Sequence, residues 1–93
     1  MRQSGRTTRI VDEYDNILYN NENGEFHRTD GPAIERHDGY KAWYKNGKRH
    51  REDGPAIIYS NGDKFWYIND KEYSKEEYEQ ELLKRRLKRI LDL

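Results

Sequence analysis

A 23-residue block occurs twice in succession, and this duplication constrains the fold more than any other feature of the chain. Residues 27–49 read HRTDGPAIERHDGYKAWYKNGKR, and residues 50–72 read HREDGPAIIYSNGDKFWYINDKE. The ungapped alignment shares H-R-x-D-G-P-A-I and G-x-K-x-W-Y-x-N-x-K, which together hold thirteen identities in 23 positions. A short block of this kind buries its apolar surface against its neighbours, so we expect a stacked repeat array.

Each block contains the signals of a β-hairpin followed by a linking loop. Asp-Gly-Pro is turn chemistry, because Asp accepts nearby backbone N–H groups, Gly tolerates positive φ and Pro fixes φ. In the first block we predict a strand over 33–37, a turn at Asp38-Gly39 and a return strand over 40–45. The loop 48–53 then leads into the second block. There the same elements are predicted at 56–60, Asn61-Gly62 and 63–68.

A degenerate unit over 8–26 precedes the two blocks. The segment 10–14 takes the position of the first strand, and Asn23-Gly24 aligns with Asn46-Gly47, but the Asp-Gly-Pro element is absent. Residues 1–7 are expected to be a flexible basic tail. With 93 residues in total, the chain is expected to form a single domain of three units and a C-terminal segment, 74–93.

The repeat resembles a known family. H-R-x-D-G-P-A-I followed by G-x-x-x-W-Y-x-N-G resembles the MORN-like repeats of bacteriophage and large-virus proteins, and the likeness covers residues 10–73. The resemblance implies an elongated β-repeat that serves as a binding or assembly surface, without catalytic activity. The expected fold is therefore mainly β (α+β), with stacked hairpins forming a twisted antiparallel sheet and one amphipathic helix capping it.

The C-terminal segment predicts that helix. Ser74-Lys75-Glu76-Glu77 is a capping box, and Tyr73 and Tyr78 take the positions of a hydrophobic staple. Acidic residues fill the first half of the segment and basic residues the second half, which complements the helix dipole. We therefore predict a helix over about 75–91.

Four apolar residues form a stripe along this helix: Leu83, Leu87, Ile90 and Leu91. We expect the stripe to dock on the sheet and cover an open edge, because an uncovered edge strand invites aggregation. The alternative is an interface with another protein or with a second copy of the chain. The two can coexist, because the segment is longer than the end of one short sheet requires.

Basic residues cluster near both ends of the chain, and they are candidates for contact with an anion or nucleic acid. The N-terminal group is Arg2, Arg6 and Arg9, and the helical group is Lys84, Arg85, Lys88 and Arg89. The two groups form one basic surface only if the fold brings them together. Acidic residues upstream on the helix and a formal net charge of zero favour a solvated helical face instead.

The polar residues repeated in both blocks are candidates for catalysis: His27, Arg28, Asp30, His50, Arg51 and Asp53. A His near an Asp suits a general base. However, the same group occurs in both blocks, and a repeated group is typical of a scaffold. We therefore interpret these residues as structural corners of the repeat, in which the His, Arg and Asp side chains hold the loop by hydrogen bonds and a local ion pair, and we predict no enzyme activity.

Neither a metal nor a cofactor is expected. The chain has three His and no Cys, which does not match a zinc pattern. Its acidic residues do not have the spacing of a calcium loop, and its glycines lie in turns and not in a phosphate-binding motif.

No apolar run approaches the length of a membrane span, and no secretory signal is evident. We therefore expect a cytoplasmic location without a membrane partner.

Aromatic residues supply the remaining functional signal. Tyr40, Tyr59 and Phe65 differ between the two blocks, and Tyr and Phe on a rigid sheet are frequent in protein interfaces. We therefore expect these rings, with the helical stripe, to bind another protein.

The family resemblance implies a particular partner. The chain would be a phage-encoded inhibitor that modulates a host protein or a defence complex, as an anti-CRISPR protein does. A nucleic-acid-binding accessory protein and a module that forms homodimers through the helix are the alternatives.

Overall fold

The computed structural model describes residues 6–92, which form an antiparallel sheet followed by one helix. Its elements are β1 (Thr8–Val11), β2 (Ile17–Asn20), β3 (Ile34–Glu35), β4 (Lys41–Ala42), β5 (Tyr44–Lys45), β6 (Lys48–Arg49), β7 (Ile57–Ile58), β8 (Lys64–Ile68), β9 (Lys71–Tyr73) and α1 (Lys75–Leu91). Seven strands form an open sheet in the order β1-β2-β3-β4-β7-β8-β9, and β5 pairs with β6 beside it. The predicted fold class, mainly β with one C-terminal helix, is confirmed.

Each block contains two hairpins, where the sequence predicted one hairpin and a loop. The first hairpin turns at Gly39 and at Gly62, whose φ values are 98° and 94°. The second turns at Asn46-Gly47 in one block and at Asn69-Asp70 in the other. All four residues of these second turns have positive φ, which is the type I′ geometry that suits the twist of a two-residue hairpin. Residues 48–49 therefore form a strand, not part of a loop.

The return strand of the first block is interrupted because the chain changes its partner there, whereas the return strand of the second block, β8, is continuous. The predicted return strand 40–45 is divided at Trp43 into β4 and β5. The backbone N–H of Trp43 donates to the Ala56 carbonyl at 2.7 Å, while its carbonyl accepts from the N–H of His50 at 3.1 Å. Trp43 thus joins the main sheet to the β5–β6 pair.

The first unit begins with a hairpin whose first strand, β1, lies earlier in the chain than the predicted strand 10–14. β1 pairs with β2 across a turn in which the Asp12 carboxylate accepts the backbone N–H groups of Tyr14 and Asn16. Tyr14 therefore lies in this turn and is exposed, although the sequence placed it in a strand. Asn20 and Phe26 then form an isolated antiparallel bridge.

The aromatic rings on one side of the array are covered by the unit that follows. The Arg28 guanidinium lies 4.0 Å from the Tyr19 ring centroid, and Arg51 lies 3.8 Å from that of Trp43. Trp66 has no following block, and the ring of Tyr78 from α1 packs beside it at 6.5 Å. Stacked guanidinium groups therefore complete a core for which the chain has few aliphatic residues.

The helix begins and ends where the sequence predicted. Ser74 accepts the N–H of Glu77 while the Glu77 carboxylate accepts the N–H of Ser74, which completes the capping box. The helix packs on the sheet through Tyr78 and Leu82, which are buried with Ile68.

The predicted docking of the helical stripe is wrong. Leu83, Leu87, Ile90 and Leu91 are 53%, 50%, 63% and 83% exposed. Successive helical residues are about 100° apart, so the docking of Tyr78 and Leu82 turns the stripe away from the sheet. The sheet takes the face with Tyr78 because its hydroxyl donates to the Arg51 carbonyl at 2.6 Å and accepts the N–H of Gly54 at 3.2 Å.

Candidate functional site

The arginines of the two repeat corners form the same bonds to their own loops. The Arg28 Nε–H donates to Asp30 at 2.9 Å, and its Nη1 donates to the Pro32 carbonyl at 3.1 Å. The corresponding bonds of Arg51, to Asp53 and to the Pro55 carbonyl, measure 2.8 and 3.0 Å. The arginine at each corner thus binds its own loop and covers an aromatic ring of the preceding unit at the same time.

The corner histidines bond to backbone and not to the corner aspartates. In each block, Nδ1 of the histidine accepts a backbone N–H, from Asn46 to His27 at 2.9 Å and from Asn69 to His50 at 3.0 Å. The ring nitrogen that a general base needs is therefore occupied in both blocks. His27 is also buried. This geometry gives the histidines a positioning role for the second hairpin.

The second corner carries one connection that the first does not. Glu52 stands where the first block has Thr29, and its carboxylate contacts His50 Nε2 at 3.0 Å and Arg89 Nη2 at 3.2 Å. Burial by itself raises the pKa of Glu52, but the bonds from His50 and Arg89 outweigh this and hold the pKa below its usual value. Glu52 thus links the second block to the last turns of α1.

The described residues contain no group of three His, Cys, Asp or Glu that could hold a metal ion. A hollow of about 590 Å³ lies between the two corners and is lined by Arg28, Trp43, Arg51 and their neighbours. Both arginines are already bonded to the corner carboxylates.

Within the part of the chain that the structure describes, residues 6–92, no helix has the length and apolar character of a membrane span.

The two predicted basic groups lie apart in the fold. Arg9 is in β1, at one end of the sheet order, whereas α1 contacts β8 and β9 at the other end. Arg6 precedes β1 and is exposed, and Arg2 lies outside the described residues. On the helix, Arg85 bonds to Glu81 at 2.8 Å, Arg89 bonds to Glu52, and Lys84 Nζ is 3.9 Å from Glu81. The fold therefore does not bring the N-terminal and the helical basic groups together into one basic surface.

Three aromatic residues that the sequence singled out form one continuous row. The ring centroids of Tyr40 and Tyr59 are 5.4 Å apart, and those of Tyr59 and Phe65 are 5.5 Å apart with the rings edge to face. The Arg36 guanidinium lies 5.2 Å from the Tyr40 centroid and extends the row. We call these four residues the aromatic row.

The aromatic row is half-open to solvent. Tyr40 and Phe65 are half-buried, whereas Tyr59 is 44% exposed. Burial, and secondarily the neighbouring Tyr44 and Tyr59, raise the pKa of the Tyr40 phenol, so this ring is a neutral hydrogen-bond donor at physiological pH. The row therefore offers large apolar rings with polar tips at the surface.

The row and the helix lie on opposite sides of β8. Side chains alternate along a strand, so Phe65 and Tyr67 point to one side while Trp66 and Ile68 point to the other. Trp66 and Ile68 contact α1, and Phe65 contacts the row. The predicted binding residues thus form two separate surfaces, the aromatic row and the helical stripe.

Sequence reasoning missed three residues: two that connect the repeat to the helix and one that belongs to the aromatic row. Tyr78 was assigned only to a staple, although its spacing of four residues from Leu82 places both on one helix face. Glu52 interrupts the repeat identity at a corner, and a departure from the repeat is the signal that could have identified it. Arg36 was missed because its ring partner, Tyr40, follows it across a turn.

Comparison of the chain with known protein families, with characterised proteins and with solved structures finds no match. The likeness of the repeat to the MORN-like family therefore remains a prediction from the sequence.

Proposed function

We propose that this protein is a non-enzymatic binding module that recognises another protein through the aromatic row. One observation carries the proposal: the row is made of positions that differ between the two blocks. Tyr59 corresponds to Arg36, Tyr40 to Asp63 and Phe65 to Ala42. The positions that are identical in the two blocks form a corner in each block. The positions that differ between the blocks together form a single surface.

The chemistry of the row supports a protein partner. Tyr and Arg are enriched at the energetic centres of protein interfaces, because they bury a large area and still form hydrogen bonds. The rings are held in place by one another and by the short strands beneath them, so little side-chain freedom is lost on binding. The molecule measures 47 × 43 × 17 Å, and its helix packs on the side of β8 opposite to the row, so the helix does not cover the row.

The test compares capture by the native chain with capture by two variants that remove a tyrosine ring. Tyr59→Ala removes the exposed ring of the row, and Tyr14→Ala removes an exposed ring that lies outside the row, in the turn between β1 and β2. We expect a host protein that the native chain and Tyr14→Ala retain and that Tyr59→Ala loses, with affinity reduced at least tenfold by calorimetry. Equal retention by both variants, or no retained protein, would contradict the proposal.

The narrower form of the proposal is a phage-encoded inhibitor of a host protein or defence complex that acts in the host cytoplasm. Its support is the resemblance of the repeats to MORN-like repeats of bacteriophage proteins, together with the small size of the chain. Expression of the native chain in a bacterial host should then alter phage resistance or growth, and Tyr59→Ala should abolish that phenotype at equal protein level.

A further inference from the structure

We propose that the stripe on α1 pairs with the same stripe of a second copy, in parallel orientation about a two-fold axis. The stripe consists of Leu83, Leu87, Ile90 and Leu91, which are at least half exposed on the side of the helix away from the sheet. The inference is independent of the proposed function, because the aromatic row lies on the other side of β8.

The spacing of the stripe matches the seam of a two-stranded coiled coil. Leu83 and Ile90 take d positions and Leu87 takes the a position between them, a repeat of four and three residues. Gln80 takes the preceding a position and is exposed. The contact would span residues 80–91. Towards the N-terminus, Glu76 takes the next d position, and facing carboxylates there would end the contact.

Charge complementarity selects the parallel orientation. In a parallel pair, a g residue faces the e residue five positions later in the partner. Glu79 is at g and Lys84 at e, so each helix would place Glu79 beside the Lys84 of the other copy, twice by symmetry. Arg86, at the next g position, would face the apolar Leu91. Within residues 6–92 Glu79 has no ion pair, and Lys84 only approaches Glu81 at 3.9 Å.

Antiparallel pairing cannot satisfy both the apolar and the charged residues. If Leu83 faces Leu87 of the partner, then Lys84 faces Lys84 and Arg86 faces Arg86. A shift by seven residues brings Glu79 beside Arg86 but places Leu87 against Glu76. Only the parallel register aligns the stripe and pairs opposite charges at once.

The test measures the molar mass of the full chain by sedimentation equilibrium over a wide range of concentration. We expect the mass to rise from 11.3 kDa towards twice that value, 22.6 kDa, with increasing concentration. Leu87→Asp should remain monomeric, while circular dichroism shows an unchanged helix. A native chain that stays monomeric at millimolar concentration, or a dimer that Leu87→Asp does not dissociate, would overturn the inference. Monomers that co-sediment with vesicles of anionic phospholipid would overturn it in favour of a membrane surface.

Charge exchange tests the register. Glu79→Lys and Lys84→Glu should each weaken the dimer at least fivefold, and the double variant should restore it. Lys88→Glu, a matched change of charge at an outer position, should have little effect. If Lys84→Glu alone leaves the dimer unchanged, the parallel register is wrong.

The absence of cysteine from the chain allows a direct test of orientation. In the parallel pair, Gln80→Cys places two thiols opposite each other and should form an intermolecular disulfide on mild oxidation. Lys88→Cys, on the outer side, is the control and should not. Failure of Gln80→Cys to cross-link in a sample that is dimeric by mass would exclude the parallel arrangement.

Discussion

The corner arginine is the residue that makes this fold possible with so few aliphatic side chains. Its guanidinium bonds to a carboxylate and a carbonyl in its own loop and stacks on an aromatic ring of the preceding unit. A glycine lies against it, since a Cβ on Gly31 would approach Arg28 Cζ to 2.9 Å. The Arg28 guanidinium therefore leaves no room for a side chain at the glycine of Asp-Gly-Pro.

We predict that Gly31→Ala destabilises the protein by about 1 kcal/mol, because the added methyl displaces the Arg28 guanidinium from its partners. Chemical denaturation measures the free energy of unfolding. In an Arg28→Ala background the same substitution should cost much less, because nothing remains for the methyl to displace. Additive effects of the two substitutions would contradict this explanation.

The identities between the two blocks predicted from sequence a local ion pair at each corner, which the structure confirms, but they did not predict the partner of the histidine. The sequence placed His27 close to Asp30, whereas the structure places Arg28 on Asp30 and turns His27 to the N–H of Asn46. His27 and Arg28 are neighbours in sequence and compete for the Asp30 carboxylate. The arginine binds it because its side chain is long and its charged guanidinium forms strong hydrogen bonds to a carboxylate. The partner of His27 depends on the second hairpin, because the turn of that hairpin supplies the Asn46 N–H. The sequence predicted a loop after this turn and not a hairpin.

At the level of the elements, the helix shows where sequence patterns succeed and where they fail. Its bounds follow from the capping box, which is a local signal, and they were predicted closely. Its docked face depends on contacts with the sheet, and the most apolar stripe turned out to face solvent. Periodicity alone favoured the stripe because it counts apolar residues and ignores the hydroxyl of Tyr78, which determines the docked face.

We predict that Tyr78→Phe destabilises the protein by about 1–2 kcal/mol, because the Arg51 carbonyl and the Gly54 N–H lose their shared partner. The thermal unfolding midpoint measures the change. Tyr73→Phe is the matched control, because the Tyr73 hydroxyl has no hydrogen bond within the described part of the chain. Equal effects of the two substitutions would argue against the role of the Tyr78 hydroxyl.

Ser74→Ala should destabilise the protein by about 1 kcal/mol, because it removes the acceptor for the Glu77 N–H at the start of α1. The loss is expected in the helical signal of circular dichroism during denaturation. Ser60→Ala, in the turn between β7 and β8, serves as the control and should change stability only slightly. A Ser74→Ala variant as stable as the native chain would show that sheet contacts alone hold the helix end.

For the molecule as a whole, surface carboxylates hold the turns and corners of a sheet with few buried residues. The Arg28 hydrogen bond lowers the pKa of Asp30, and the Arg49 hydrogen bond lowers that of Asp70. Backbone N–H groups lower the pKa of Asp12 and of Asp38 in their turns. Each ionised carboxylate therefore stabilises the folded chain.

These shifts predict an acid-labile fold. A carboxyl whose pKa is lower in the folded state contributes its stability above its unfolded value, about pH 4, and loses it as pH falls through the folded value. The urea midpoint should therefore be constant from neutral pH to about pH 5 and fall steadily below about pH 4. Asp70→Asn should make the fall less steep. A midpoint that does not change down to about pH 2 would contradict this account.

The way in which each ring is covered has a consequence for the length of such proteins. The arginine of one unit closes the unit before it, and Tyr78 closes only the last one. A further 23-residue copy inserted ahead of the helix would meet a surface of the same shape on either side. The helix that covers the last ring is separate from the repeated block. Evolution or design can therefore change the number of copies without redesigning either end.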